Sequence, residues 1–187
     1  MSFDREKLLR KLTFELAMNP NMTMTELAKR AKISRASLNR IYSSKNFLKE
    51  TILERVKEIY REISELLNKN HEDFIKNLRD VIAIFQANRN YILFICRDVF
   101  AESVDEKIFR QQEAELTKFF SVGQEQNLID KKFSAETVAN VFLGNITWFL
   151  CMHAEKNNVD ENELKKIIFE TFWNGIGNKT AYDSAQN

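Results

Sequence analysis

Within residues 23–45 the chain gathers groups that bind anions and nucleobase edges. Hydroxyls stand at Thr23, Thr25, Ser34, Ser37 and Tyr42, an amide at Asn39, and cations at Arg35, Arg40 and Lys45, with the small Ala36 among them. Hydroxyls and ammonium groups suit phosphate oxygens, Arg donates to guanine, and Asn pairs bidentately with adenine. This is recognition chemistry, in which no bond is made or broken. Nothing comparable points to catalysis. The chain holds no G-x-S-x-G, P-loop or G-x-G-x-x-G run, and four glycines leave no phosphate cradle of that kind. Cys96 and Cys151 lack C-x-x-C spacing and sit among bulky apolar residues, so buried reduced thiols are expected. His71 and His153 have no partner at metal-ligand spacing. A non-enzyme without metal or cofactor is the expectation.

The elements that must position these groups are helices, because one proline and four glycines in 187 residues leave little turn punctuation for strands. Leu8, Leu9, Leu12 and Leu16 fall on one stripe of a first helix, about 4–18, which ends before Pro20. Thr23 and Glu26 have the spacing of a capping box, so a second helix starts near Met24 and turns Leu27, Ala28 and Ala31 inward. Lys32 and Ile33 form a turn, and Ser34 is the N-cap of a short third helix, about 35–42. At 100° per residue, Leu38, Ile41 and Tyr42 share one face of that helix, while Ala36, Asn39 and Arg40 face away with Arg35 and Ser37 at the edges. Such a polar face can enter a major groove, with Thr25, Ser34, Tyr42 and Lys45 anchoring phosphates; it can equally do no more than solvate a short helix. Ser43 and Ser44 interrupt, and a long fourth helix, about 45–67, carries Leu48, Ile52, Val56, Ile59, Ile63 and Leu66 at three- and four-residue steps. Asn68-Lys69-Asn70 marks the boundary to a second part. There, helices are predicted at about 71–87, 90–101, 104–127, 135–157 and 160–175, with 178–187 a disordered tail.

Charge follows this division. Residues 1–49 hold 11 Lys and Arg against 4 Asp and Glu, a net of +7, whereas residues 50–187 hold 17 against 23, a net of −6. A basic head on an acidic body fits a phosphate-binding module whose body stays off the polyanion. The start has no apolar signal region, and the longest apolar run, Tyr91–Cys96, is far short of a membrane span, so a cytoplasmic protein that does not enter membranes is expected.

The segment Thr23–Leu48 resembles the N-terminal domain of the tetracycline-repressor (TetR/AcrR) family of bacterial transcription regulators. It fits the family pattern at Thr23, Leu27, Ala28, Ala31, Ile33, Ser34, Leu38, Ser44, Lys45 and Leu48, with Tyr42 at an aromatic position. It departs where the family has a turn Gly (Lys32), a second Gly (Ala36), a phosphate-contacting Tyr (Asn39) and a His (Ile41). The resemblance implies an all-α fold: a three-helix DNA-binding head at 1–48, a connecting fourth helix, and a bundle at 68–177 for ligand binding and dimerisation. It also implies a ligand cavity among the middle helices, where Phe94, Phe100, Phe109, Phe120, Phe142, Trp148 and Phe149 are candidate lining residues suited to an apolar or aromatic ligand, although bundle cores need such filling as well. The last two helices would pair with a second copy through Val138, Val141, Ile146, Ile168, Phe172 and Trp173.

The expected function is therefore a ligand-responsive regulator, a repressor that binds a near-palindromic stretch of double-stranded DNA as a homodimer and is released by a small-molecule effector. The substitutions at Lys32 and Asn39 keep one alternative open, a helical protein-interaction module whose DNA binding is secondary or lost.

Overall fold

The computed structural model describes residues 4–69, 73–98, 106–153 and 160–176. His71, Phe100 and the 178–187 tail lie outside these residues. The described residues form nine helices and no strand: α1 (Arg5–Met18), α2 (Met24–Ala31), α3 (Arg35–Ile41), α4 (Lys45–Lys69), α5 (Phe74–Ala87), α6 (Arg89–Asp98), α7 (Glu106–Glu125), α8 (Ala135–His153) and α9 (Glu161–Ile176). The all-α class and the helix order agree with the sequence pattern.

The ends are set by local chemistry. Asp4 caps α1, Thr23 caps α2 and Ser34 caps α3, each side chain accepting from a backbone N–H three residues on. Ser44 does the same for α4, Asp73 for α5 and Ser134 for α8. α7 stops at Glu125, short of the expected 127, because Asn127 takes a left-handed conformation (φ 57°) and the Leu128 N–H returns to the Gly123 carbonyl.

Two compact units emerge, one from residues 4–59 with 88–98 and one from 60–87 with 106–153 and 160–176. In the first, α1 packs on α6 and α2, and α2 on α3. Leu12, Leu27, Leu38, Leu48, Ile52 and Ile59 are fully buried, each such side chain contributing roughly 1.5–3 kcal/mol. The head thus includes α6, which lies beyond the boundary at 68 read from the sequence. Its Tyr91, Leu93 and Phe94 are buried, and the Asn90 amide donates to the Arg10 carbonyl at 3.1 Å. A linker rich in Asn marks a break in the chain but not which side a later helix will join.

In the second unit α7 packs on α8, and α9 on α5 and α8. Phe74 stacks on Phe119 with ring centroids 4.3 Å apart, and Phe120 sits edge-on to Phe142 at 5.4 Å, with Phe142 in turn 4.9 Å from Phe172. Aromatic pairs in these geometries add about 0.5–1.5 kcal/mol each beyond their buried area. Gly123 allows the arrangement, since a Cβ there would lie 2.6 Å from the Phe74 ring.

Candidate nucleic-acid interface

The turn between α2 and α3 fixes the presentation of the third helix. Lys32 adopts φ 59°, ψ 40°, the left-handed conformation, and its N–H and that of Ile33 return to the Lys29 and Ala28 carbonyls. This double closure satisfies the last carbonyls of α2 and sends the chain into the Ser34 cap. At the other end of α2, the Thr23 N–H and hydroxyl both donate to Glu26 Oε2, at 2.7 and 2.8 Å, and the Glu26 N–H donates to Thr23 Oγ1 at 3.3 Å. The Thr23 N–H first, then its hydroxyl, hold the Glu26 carboxyl below its ordinary value.

On α3, Leu38 is buried while Arg35, Ala36, Asn39 and Arg40 are exposed and Ser37 is half-buried. The polar face read from the sequence is therefore a free surface of the unit. Neither Arg35 nor Arg40 has a carboxylate partner among the described residues. Thr25 is also exposed, in the first turn of α2.

Other candidate residues have different work. Tyr42 is 5% exposed and closes α3 as its C-cap, with burial raising its phenol pKa, so its ring packs into the head's interior. Tyr42 falls on the same face as Leu38, and the ring is buried with it. The Lys45 ammonium donates to the Pro20 carbonyl at 2.6 Å, tying the start of α4 to the loop before α2. Thr23 and Ser34 are committed to caps, and the Ser34 hydroxyl also donates to Ser37 Oγ at 2.9 Å. Two cations that spacing did not single out, Lys29 and Lys32, are exposed at the end of α2. Their signal was the run of basic residues at and just past the last turn of that helix, Lys29, Arg30 and Lys32.

The expected ligand aromatics among the described residues take several different surroundings. Phe120 and Phe142 are fully buried in the ring cluster, Phe109 is half-buried edge-on to Tyr60, and Phe149 stacks on His153. Trp148 is 65% exposed, and Phe94 belongs to the core of the first unit. Of the expected dimer residues, Val138, Ile146, Ile168, Phe172 and Trp173 are buried in the unit's own core, and only Val141 is exposed. Val141, Trp148 and Met152 instead form an exposed apolar stripe at i, i+7 and i+11 on α8. Cys96 and Cys151 are half-buried and in no disulfide, a lesser burial than expected. Among the described residues no cluster of His, Cys, Asp or Glu is placed to hold a metal, and no helix is long and apolar enough to cross a membrane.

A capped helix-turn-helix in one unit and a helical bundle in the other define a two-unit, all-α helix-turn-helix protein. The fold is that of the TetR-family transcriptional regulators. No family model and no curated protein matches the sequence. Among solved structures, the chain is similar to the ketosteroid transcriptional regulator KstR2 of Mycobacterium tuberculosis, with a TM-score of 0.69, 14% identity, and 96% of this chain and 97% of that one covered. It is also similar to AibR in complex with isovaleryl coenzyme A and operator DNA (0.66, 13%, 89% and 96%) and to the TetR-family regulator PfmR from Thermus thermophilus (0.65, 13%, 92% and 95%).

Proposed function

We infer that this chain is a ligand-responsive DNA-binding transcription regulator, a repressor that binds a near-palindromic operator as a homodimer and leaves it when a small molecule binds the second unit. The observation that carries the reading is the exposed Arg35, Ala36, Asn39 and Arg40 face of α3, held outward by the Lys32 turn and the Ser34 cap. α3 enters the major groove, Arg35, Asn39 and Arg40 reach base edges, and Thr25, Lys29 and Lys32 contact phosphates. Lys45 supports this surface through Pro20.

The homodimer forms through the Val141, Trp148 and Met152 stripe, since large apolar side chains aligned on a surface helix favour burial against a second copy. The effector site in the second unit is supported by buried polar groups without partners among the described residues: both amide atoms of Gln112 on α7 and Nδ1 of His153 on α8. Such groups are rare in native interiors and mark places where a ligand or water completes the bonding. The effector is thus an apolar or aromatic molecule with a polar group. AibR, solved with both isovaleryl coenzyme A and operator DNA, supports the pairing of these two kinds of partner on a similar fold. Binding of the effector lowers operator affinity by favouring a conformation with the wrong spacing of the two α3 helices.

The test is fluorescence anisotropy of the purified protein on DNA from upstream of its own coding region, across a salt series. Salt-dependent binding is expected, weakened about tenfold or more by Arg35→Ala or Arg40→Ala with relaxed sequence preference. Binding that ignores both substitutions and salt would sink the reading and favour a protein-interaction module.

A further inference from the structure

A cleft of about 410 Å³ opens between α5 and α9 of the second unit, lined among the described residues by Arg79, Ile82, Lys165, Lys166, Phe169 and Glu170. That is the size of a small-molecule site. Its walls divide into an apolar part and a cationic one. Ile82 and Phe169 are buried and form the apolar surface, while three cations face a single carboxylate. Glu170 lies 3.8 Å from the Lys166 ammonium, and neither Arg79 nor Lys165 has a carboxylate partner among the described residues. The Arg79 guanidinium rests over the Phe169 ring, 4.6 Å from its centroid. A guanidinium held on an aromatic face keeps its edge N–H groups available for a planar, bidentate acceptor.

We propose that the α5–α9 cleft binds a small amphipathic carboxylate, its anionic head on Arg79 and Lys165 and its apolar body against Ile82 and Phe169. The uncompensated cations select the charge, and the buried apolar pair selects a body that inorganic anions lack. The cleft volume favours a free molecule over a lipid surface. This site is separate from the unsatisfied groups on α7 and α8 and does not rest on the DNA-binding reading.

The protein supplies its own reporter. Trp173, one of two tryptophans, stacks on Phe169 with centroids 5.7 Å apart and planes 9° from parallel, so a ligand against Phe169 alters its emission. The experiment titrates the full chain, and a Trp148→Phe version in which Trp173 is the single tryptophan, with octanoate, octanol and inorganic phosphate, by calorimetry and fluorescence. Expected is saturable octanoate binding with one site per chain and a Trp173 response, with octanol and phosphate weaker by about tenfold. Arg79→Gln and Lys165→Gln each weaken octanoate about tenfold, and Glu170→Gln strengthens it. These positions are exposed or half-exposed, and the helical content and thermal unfolding midpoint of the unliganded variants stay unchanged. Octanol binding as tightly as octanoate, affinity indifferent to Arg79→Gln and Lys165→Gln, or capture on phosphatidylglycerol vesicles without saturable octanoate binding would overturn the assignment.

Discussion

Lys32 and Glu26 show how single side chains set the geometry of the proposed reading surface. Lys32 takes a conformation in which an L-residue is strained by about 1–2 kcal/mol and glycine is not. Lys32→Gly is expected to stabilise the head by about 1 kcal/mol, read from slower amide exchange in α2 and α3 under urea, while lowering DNA affinity at all sequences through the lost charge. Glu26 has a lowered pKa in the folded head, so its contribution is complete above the ordinary value of 4.5 and is lost as pH falls through the lowered folded-state value. A carboxyl titration by NMR should place Glu26 below that value, and Thr23→Ala, which removes the hydroxyl but keeps the backbone N–H, should raise it only part of the way back. The capping box was legible because both partners lie within one turn. The burial of Tyr42 and the bond from Lys45 to a carbonyl 25 residues away were not legible, because they depend on neighbours that no local pattern specifies.

Helices were legible wherever an apolar stripe and a cap coincided, as in α2, α3 and α8. Which neighbour covers a stripe was not. α8 is apolar on two faces: Val138, Phe142, Ile146 and Leu150 fill the core of its unit, while Val141, Trp148 and Met152 stay exposed. Periodicity registers both as hydrophobic and cannot rank them. The ring cluster raises a similar point for α7. Gly123→Ala puts a methyl 2.6 Å from Phe74 Cε2 and Cζ, in a ring stacked on Phe119 with little room to yield. A loss of about 1–3 kcal/mol is expected, measured as a lower midpoint in thermal unfolding.

At the scale of the whole molecule, the proposed regulator needs two reading helices at a fixed spacing, and a monomer presents one. Trp148→Asp places a charge in the exposed stripe without touching the buried core of its unit. The expected result is a folded monomer by sedimentation velocity, with helical content retained and operator affinity reduced by about 100-fold or more, because a single head makes too few base contacts. A dimer that survives the substitution would move the interface elsewhere.

The sequence by itself determined the all-helical class, the order of the helices and the polar face of α3, since these follow from periodicity, caps and a shortage of glycine and proline within short windows. Tertiary structure decided the rest. It drew α6 into the head, closed the phenylalanines on one another, turned Val141, Trp148 and Met152 outward, and brought Arg79 over Phe169 from helices some 90 residues apart. Those outcomes depend on which surfaces exclude water together, a property of contacts between distant segments that local spacing does not encode.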